Sequence, residues 1–409
     1  MNILYINHYA GTKDMGMEFR PYYLGVHWRK MGHNVTIVGS SFTHLRVSQP
    51  TNIGSLTSEK IDGLHYLWIK GSKYVGNGFG RLVNISQFLF GLIFHRKKLL
   101  AEANPDVVIA SSTYPMDIWP AKYLATSCGA RLIFELHDVW PQSLTEVAGL
   151  PNWHPMVIIA GMAEKAAYRS ADRIVSMLPA IHGHCDVMGF DLDRLSIVPN
   201  GIVVDDWRED ESSLLPNPIA QKISQMRSKH HLIVCYAGAH GDPNALDNLM
   251  NAAELLKNHP VSFLLVGNGN LRENLKSIVR RKQLHNVAMF KGIPKGLIPN
   301  LLSKVDIGFI GAKDRPIYRH GISPNKIVDY MMAEIPVICA INAGNDPVSD
   351  AQCGVSIEPD NSDALASVIV HLNSIGQAER DVMGRRGKTF VMQNYTYDVL
   401  SEKFMRALK

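Results

Sequence analysis

Two parallel α/β domains in tandem are the fold class this sequence predicts, and three observations predict it. The chain has 409 residues, too many for one ordinary hydrophobic core. Short apolar strand patterns alternate with helical ones from end to end, as in parallel sheets covered by helices. The alternation breaks once, at residues 214–229 (LLPNPIAQKISQMRSK), a polar stretch with two prolines and a basic end that reads as a linker. The expected division is an N-terminal domain over 1–213, a linker over 214–230 and a C-terminal domain over 231–395. A last helical pattern, 396–409, is expected to complete the first domain.

The strands of the first domain are expected at 2–6, 34–38, 64–68, 107–110, 131–136, 173–177 and 196–198. Those of the second are expected at 232–237, 262–266, 288–291, 307–310, 337–340 and 354–357. A helix between the first two strands ends at Gly32, which suits a helix C-terminus. Open parallel sheets bind ligands beyond the carboxyl ends of their strands. Two such sheets facing each other across a cleft would make a two-walled site.

Composition narrows the function. Hydrophobic residues make up 46% and charged residues 19%, as in a globular protein rather than a disordered one. A net charge of +5 permits an anionic ligand or an anionic membrane surface. No zinc finger, RNA-binding aromatic motif or basic recognition helix is present, so nucleic acid is not an expected partner. The five cysteines, Cys128, Cys185, Cys235, Cys339 and Cys353, are scattered and form no CxxC pair. Neither a disulfide framework nor a zinc site follows, and a reducing, cytoplasmic setting fits. The start, MNILYINHYAG, reads as a strand and not as a signal peptide. The longest apolar run, 88–94, is too short to span a bilayer.

Chemistry is expected where strands end. The first strand runs into Asn7-His8-Tyr9-Ala10-Gly11 and a loop that holds Gly16. This loop lacks GxGxxG, so a dinucleotide fingerprint is not supported. Glu18 and Arg20 open the next helix, either beside a ligand or as a helix-end charge pair. Strand 131–136 leads into His137-Asp138-Val139-Trp140-Pro141. There an imidazole can hydrogen-bond a sugar hydroxyl and Asp138 can orient it; the alternative is a capping Asp and a packed His. Strand 232–237 ends in Gly238-Ala239-His240-Gly241, where the glycines let backbone approach a phosphate and His240 can donate to it. An ordinary glycine turn is the competing reading. Gly267-Asn268-Gly269 is a lone GxG and reads as a tight turn. The stretch 87–100, QFLFGLIFHRKKLL, is either a membrane-surface helix or a core helix with a charged end.

The most informative segment is 319–338, RHGISPNKIVDYMMAEIPVI. A glycine loop, Gly321, Ile322 and Ser323, precedes a helical pattern that carries one acid, Asp329, and stops before an apolar strand. Amides beside a helix N-terminus bind anions. An acid two turns into that helix can reach hydroxyls of the same ligand. The layout suits a sugar nucleotide, with diphosphate at the loop and ribose at Asp329. Lys313, Arg315, Arg319 and Lys326 bracket it with positive charge that would stabilise a diphosphate leaving group. Taken alone, it is also the loop, helix and strand of any α/β domain.

Together, NHYAG with GMEFRPYYL, FELHDVWPQSL, VPNGI, YAGAHG with ALDNLMNAA, LLVGNGNLRENL and SPNKIVDYMMAEIPVI resemble the family 4 glycosyltransferases of the GT-B fold. The likeness is to the bacterial surface-polysaccharide subgroup that includes the L-fucosamine transferases. It implies two Rossmann-like domains, donor binding by the C-terminal one, acceptor binding by the N-terminal one, and retention of configuration without a metal. It implies a UDP-sugar substrate, an N-acetylated 6-deoxyhexose, and no cofactor. It also implies a polyprenyl-diphosphate-linked acceptor, in O-antigen or capsule synthesis at the inner face of the plasma membrane. On that resemblance His137 contacts the transferred sugar, Asp138 supports it and Glu18 lies near the acceptor. Donor contacts fall on Gly321, Ile322, Ser323, Lys326, Asp329, Arg315, His240, Gly238 and Gly16. The chain departs from the family's Glu-x7-Glu pattern, with Gly321 at the first acid and Asp329 at the second. Two other readings are a UDP-sugar 2-epimerase and a non-catalytic nucleotide-sugar binder.

Overall fold

The alternating segments form two separate sheets in this computed structural model, which describes residues 1–16, 19–51, 54–76, 78–207 and 214–409. The chain divides into two units. Unit 1 comprises Met1–Asn200, His320–Ser323 and Tyr397–Lys409; unit 2 comprises Gly201–Arg319 and Pro324–Thr396.

Unit 1 holds β1 (Asn2–Ile6), β2 (Asn34–Ser40), β3 (Leu56–Ile61), β4 (Leu64–Ile69), β5 (Val107–Ala110), β6 (Arg131–Leu136), β7 (Arg173–Ser176) and β8 (Leu195–Ile197). Their order is β3-β4-β2-β1-β5-β6-β7-β8. All pairings are parallel except β3 with β4. β1 sits centrally with Leu4, Tyr5 and Ile6 fully buried, because helices cover both faces of a parallel sheet. The order reverses between β1 and β5, which sets the ligand crevice beyond their carboxyl ends.

The edge strand β3 is absent from the sequence expectation. It pairs antiparallel with β4 across Asp62-Gly63, which have φ of +49° and +78°. An Asp-Gly pair with both φ positive is a strong hairpin signal. The strand itself, LTSEKI, hid it: Ser58, Glu59 and Lys60 are exposed, as suits a sheet edge.

The unit 1 helices that matter below are α1 (Arg20–Lys30), α2 (Phe79–Phe94), α3 (Ile118–Cys128) and α4 (Pro155–Ser170). Unit 2 adds α5 (Asn217–Ser228) and α6 (Asn325–Met332), and the chain ends in α7 (Tyr397–Leu408) of unit 1. Helix α7 seats Phe404 edge-on against Trp28 of α1, with ring centroids 5.0 Å apart. Trp28 Nε1 donates to the Ser401 carbonyl at 3.2 Å.

Unit 2 holds β9 (Leu232–Ala237), β10 (Val261–Val266), β11 (Val287–Phe290), β12 (Ile307–Gly311), β13 (Val337–Ala340) and β14 (Gly354–Ser356). They form an all-parallel sheet in the order β11-β10-β9-β12-β13-β14, which reverses between β9 and β12. Every residue of β9 and β10 is buried.

The stretch expected to be a linker, 214–230, contains α5. Ile219, Ile223 and Met226 are its buried face, and Arg227 Nη1 reaches both Asp306 carboxylate oxygens at 2.8 Å. The two prolines misled because Pro216 is the N-cap and Pro218 lies in the first turn, where a missing N–H costs nothing.

Candidate functional site

In unit 2 the candidate residues gather beyond β9 and β12. Helix α6 buries Ile327, Val328, Tyr330, Met331 and Met332. That leaves Lys326 and Asp329, three residues apart, on one adjoining face. Pro324 precedes the helix, and no side chain caps its first turn. The first amides are therefore available to an anion.

Lys326 Nζ donates to Asn244 Oδ1 at 3.1 Å and lies 5.3 Å from the centre of the Tyr236 ring. Its stem runs over Gly238: a Cβ there would stand 2.1 Å from Lys326 Cε. Only glycine at 238 lets the lysine pass. Burial lowers the Lys326 ammonium to about 8, against the charge of Asp329. Burial raises the half-buried Asp329 carboxyl to about 6, against the charges of Lys295 and Lys326. Each group sits close to the boundary between its two charge states.

His240 is fully buried, and neither ring nitrogen has a hydrogen-bond partner. Burial, helped by the charges of Arg272 and Lys326, lowers it to about 4, so the ring is neutral near pH 7. Arg315 Nη2 stands 3.4 Å from Asp242, which also pairs closely with Lys313. Two of the four cations expected to bracket the diphosphate thus share one carboxylate.

The glycine loop falls in the other unit. Gly321 has φ of +94°, and His320–Ser323 fall in unit 1. The His320 carbonyl accepts from Ala180 N at 3.0 Å, and His320 Nε2 lies 2.9 Å from Gln142 Oε1. Ser323 Oγ accepts from Asn200 N at 2.7 Å, and the Ser323 carbonyl accepts from Asn200 Nδ2 at 3.0 Å. The sequence placed Gly321, Ile322 and Ser323 in one domain with Lys326 and Asp329. Their hydrogen bonds divide them, because the partners lie over a hundred residues upstream, where a local pattern carries no trace.

In unit 1, His137 follows β6, next to Ser111 at the end of β5. His137 Nε2 lies 3.1 Å from Ser111 Oγ and 3.6 Å from Glu135 Oε2. Asp138 is exposed beside it. Glu135 thus sets a carboxylate against Nε2, a neighbour that the sequence reading, which considered only Asp138 to orient the ring, did not include. An acid in an otherwise apolar strand, RLIFEL, was the signal that could have found it. His8 has both ring nitrogens engaged, to Tyr114 OH at 2.7 Å and Asn84 Oδ1 at 2.6 Å, and burial lowers it to about 3. It is a neutral packing residue. Gly16, expected at the donor, has φ of +91° and bridges to Arg46. A Cβ there would stand 3.1 Å from Val47 Cγ2, so both the backbone and the space suit glycine. Glu18 lies outside the described residues. Among the described residues, no group of His, Cys, Asp and Glu is arranged to hold a metal ion.

Two α/β units, each with its polar residues at the reversal point of a parallel sheet, define the GT-B fold class. Residues 15–201 match the family described as Glycosyl transferase 4-like domain, and residues 231–374 match Glycosyl transferases group 1. The chain therefore carries the two domains of family 4, group 1 glycosyltransferases. It is 21% identical over 334 residues to a protein named "Probable glycosyltransferase WbjE" from Pseudomonas aeruginosa, covering 80% of each chain. Among solved structures it is similar to a sucrose-phosphate synthase from Thermosynechococcus elongatus, at 15% identity and a TM-score of 0.75, over 99% of this chain and 97% of that one. Anabaena HepE in complex with UDP and glucose matches at 14% identity and 0.68, over 100% and 99%. WaaG, a glycosyltransferase involved in lipopolysaccharide biosynthesis, matches at 15% identity and 0.66, over 99% and 98%. At these identities the structures speak to the fold.

Proposed function

We propose that this chain transfers a sugar from a UDP-sugar to a polyprenyl-diphosphate-linked saccharide during surface-polysaccharide assembly. One observation carries the reading: Lys326 and Asp329 stand together on α6, beyond the β9–β12 reversal, with a glycine beneath the lysine stem. In this reading Lys326 and the first amides of α6 hold the diphosphate. Asp329 accepts from ribose hydroxyls, and His240 offers a neutral ring to the same ligand. The loop Gly321, Ile322 and Ser323 supplies further amides. Arg315 adds charge, and His137 of unit 1 contacts the transferred sugar. UDP in HepE and the biosynthetic role of WaaG support the donor and the pathway class.

With a retaining course and no metal, the bond from sugar C1 to the diphosphate oxygen breaks. The acceptor oxygen bonds to C1 on the same face, and its proton passes to the departing phosphate. An N-acetylated 6-deoxyhexose is the proposed sugar.

The reading extends to an anionic membrane surface. Helix α2 buries Ile85, Phe88 and Leu92 but exposes Phe79, Phe90 and Phe94, and Arg96, Lys97 and Lys98 follow it. The next helix in space, α3, exposes Trp119 and Tyr123. No helix among the described residues is long and apolar enough to cross a membrane.

The test of the donor site is calorimetric titration of UDP-glucose into the chain and into Asp329→Ala and Lys326→Ala. Losing a hydrogen bond to a charged group costs about 1.5–3 kcal/mol, so affinity should fall roughly ten- to hundred-fold in each. Unchanged affinity in both would remove the assignment.

A further inference from the structure

Arg46, which no sequence motif singled out, carries a charge that its surroundings leave unanswered. It lies beyond β2 and is only 5% exposed. One nitrogen, Nη2, donates to the carbonyl of Ser40, the last residue of β2, and the guanidinium carbon stands 5.0 Å from the centre of the Trp68 ring. Its Nε and Nη1 are buried with no hydrogen-bond partner. Among the described residues no carboxylate offsets its charge; burial lowers the group to about 10, so it stays charged at neutral pH. Buried N–H groups without acceptors are rare, and a buried charge without a counter-charge is costly. An apolar side chain would avoid that cost, so the position points to function.

Its place is the carboxyl end of the unit 1 sheet, where an open parallel sheet takes its ligand. Arg81 of α2 shares that neighbourhood: the charges of Arg46 and Arg81 both act on His8, just past β1. Arg81 Nε and Nη2 donate to Tyr9 OH at 3.0 and 2.8 Å. Tyr74, whose hydroxyl lies 2.9 Å from His44 Nδ1, also acts on Arg46. Exposed apolar side chains adjoin these polar ones: Val75 follows Tyr74, and Phe79 stands two residues before Arg81. Cations beside exposed apolar groups suit a ligand with an anionic head and a hydrocarbon tail. The loop from β1 to α1 runs alongside, with Gly16 bridged to Arg46 and the Met15 carbonyl accepting from Val47 N at 2.7 Å.

We propose that Arg46 anchors the diphosphate of the isoprenoid-linked acceptor in unit 1, with the charge of Arg81 beside it, and that the adjoining 12–16 loop lifts to admit the anion. The phosphate oxygens then accept from the Nε and Nη1 groups that the protein itself leaves unmet, while the hydrocarbon chain leaves past Val75 and Phe79 toward the exposed face of α2. The proposal rests on the reading that the acceptor is a polyprenyl diphosphate saccharide.

The experiment is calorimetric titration of farnesyl diphosphate, a short isoprenoid diphosphate, into the full chain and into Arg46→Met, with and without saturating UDP-glucose. Affinity for farnesyl diphosphate should fall about ten-fold or more in Arg46→Met, while affinity for UDP-glucose stays within about two-fold. The thermal midpoint of the free variant should be no lower than that of the unaltered chain, because an unpaired buried charge has been removed. Unchanged affinity for farnesyl diphosphate in Arg46→Met would overturn the proposal, and so would no binding of it to the unaltered chain. Equal losses for farnesyl diphosphate and UDP-glucose would put the donor's diphosphate at Arg46 and overturn the assignment to the acceptor. If Arg46→Met does not fold, Arg46→Lys decides: it keeps the charge but loses the guanidinium fork, so affinity should fall about three-fold or more, and equal affinity overturns the proposal. Failure of the unaltered chain to bind UDP-glucose would count against the transferase reading alone.

Discussion

Lys326 and Asp329 owe their proposed roles to being partly taken out of water. Burial disfavours the charged form of each, so the carboxyl titrates near 6 and the ammonium near 8. Donor binding as proposed needs both charged. Affinity for UDP-glucose, whose diphosphate does not itself titrate in this range, should therefore fall below about pH 6 as Asp329 gains its proton. It should fall again above about pH 8 as Lys326 loses one. Asp329→Asn should abolish the acid limb and keep the alkaline one. Calorimetric titrations across the range check this, and a flat profile in the unaltered chain would contradict it. Asp329 could be proposed from the sequence because it is the one acid in a mostly apolar helix, NKIVDYMM. Asn244 and Tyr236, which hold Lys326, were not, because their role depends on a contact about eighty residues away.

Among elements, α7 is the clearest case of a segment defined by what it packs on. Its pattern announces a helix; its place against α1 follows from burial of Phe404 and Trp28, both fully removed from solvent. Phe404→Ala should cost about 3–5 kcal/mol through lost transfer energy and the cavity left behind. Urea unfolding would show it as a lower midpoint with little change in slope. A loss under about 1 kcal/mol would mean that α7 contributes little to the stability of unit 1. Helix α5 and strand β3 show the limits of local reading. One carries prolines at its start that imitate a break, and the other is an exposed edge whose residues need not alternate.

For the molecule as a whole, the mild positive charge and the exposed aromatic side chains of α2 lead to a measurable consequence. Binding to vesicles of mixed phosphatidylglycerol and phosphatidylcholine should weaken at least several-fold in Phe90→Ser with Phe94→Ser, since each buried Phe contributes about 1.5–3 kcal/mol. It should weaken further as salt rises, because screening shortens the reach of Arg96, Lys97 and Lys98. Co-sedimentation measures both effects, and equal binding by the double variant would exclude α2 as the contact.

The sequence by itself determined the two-domain α/β plan, thirteen of the fourteen strands among the described residues, and the helix that bears Lys326 and Asp329. It could do so because strands buried on both faces must be apolar runs and helices must bury one stripe, and both are local patterns. Only the tertiary structure decided which polar groups meet. Glu135 finds Arg20 across 115 residues, and Ser323 finds Asn200 across 123. The physical reason is that burial is written in each residue's own neighbourhood, whereas the partner that makes a buried charge tolerable is chosen by the topology that brings distant strand ends together.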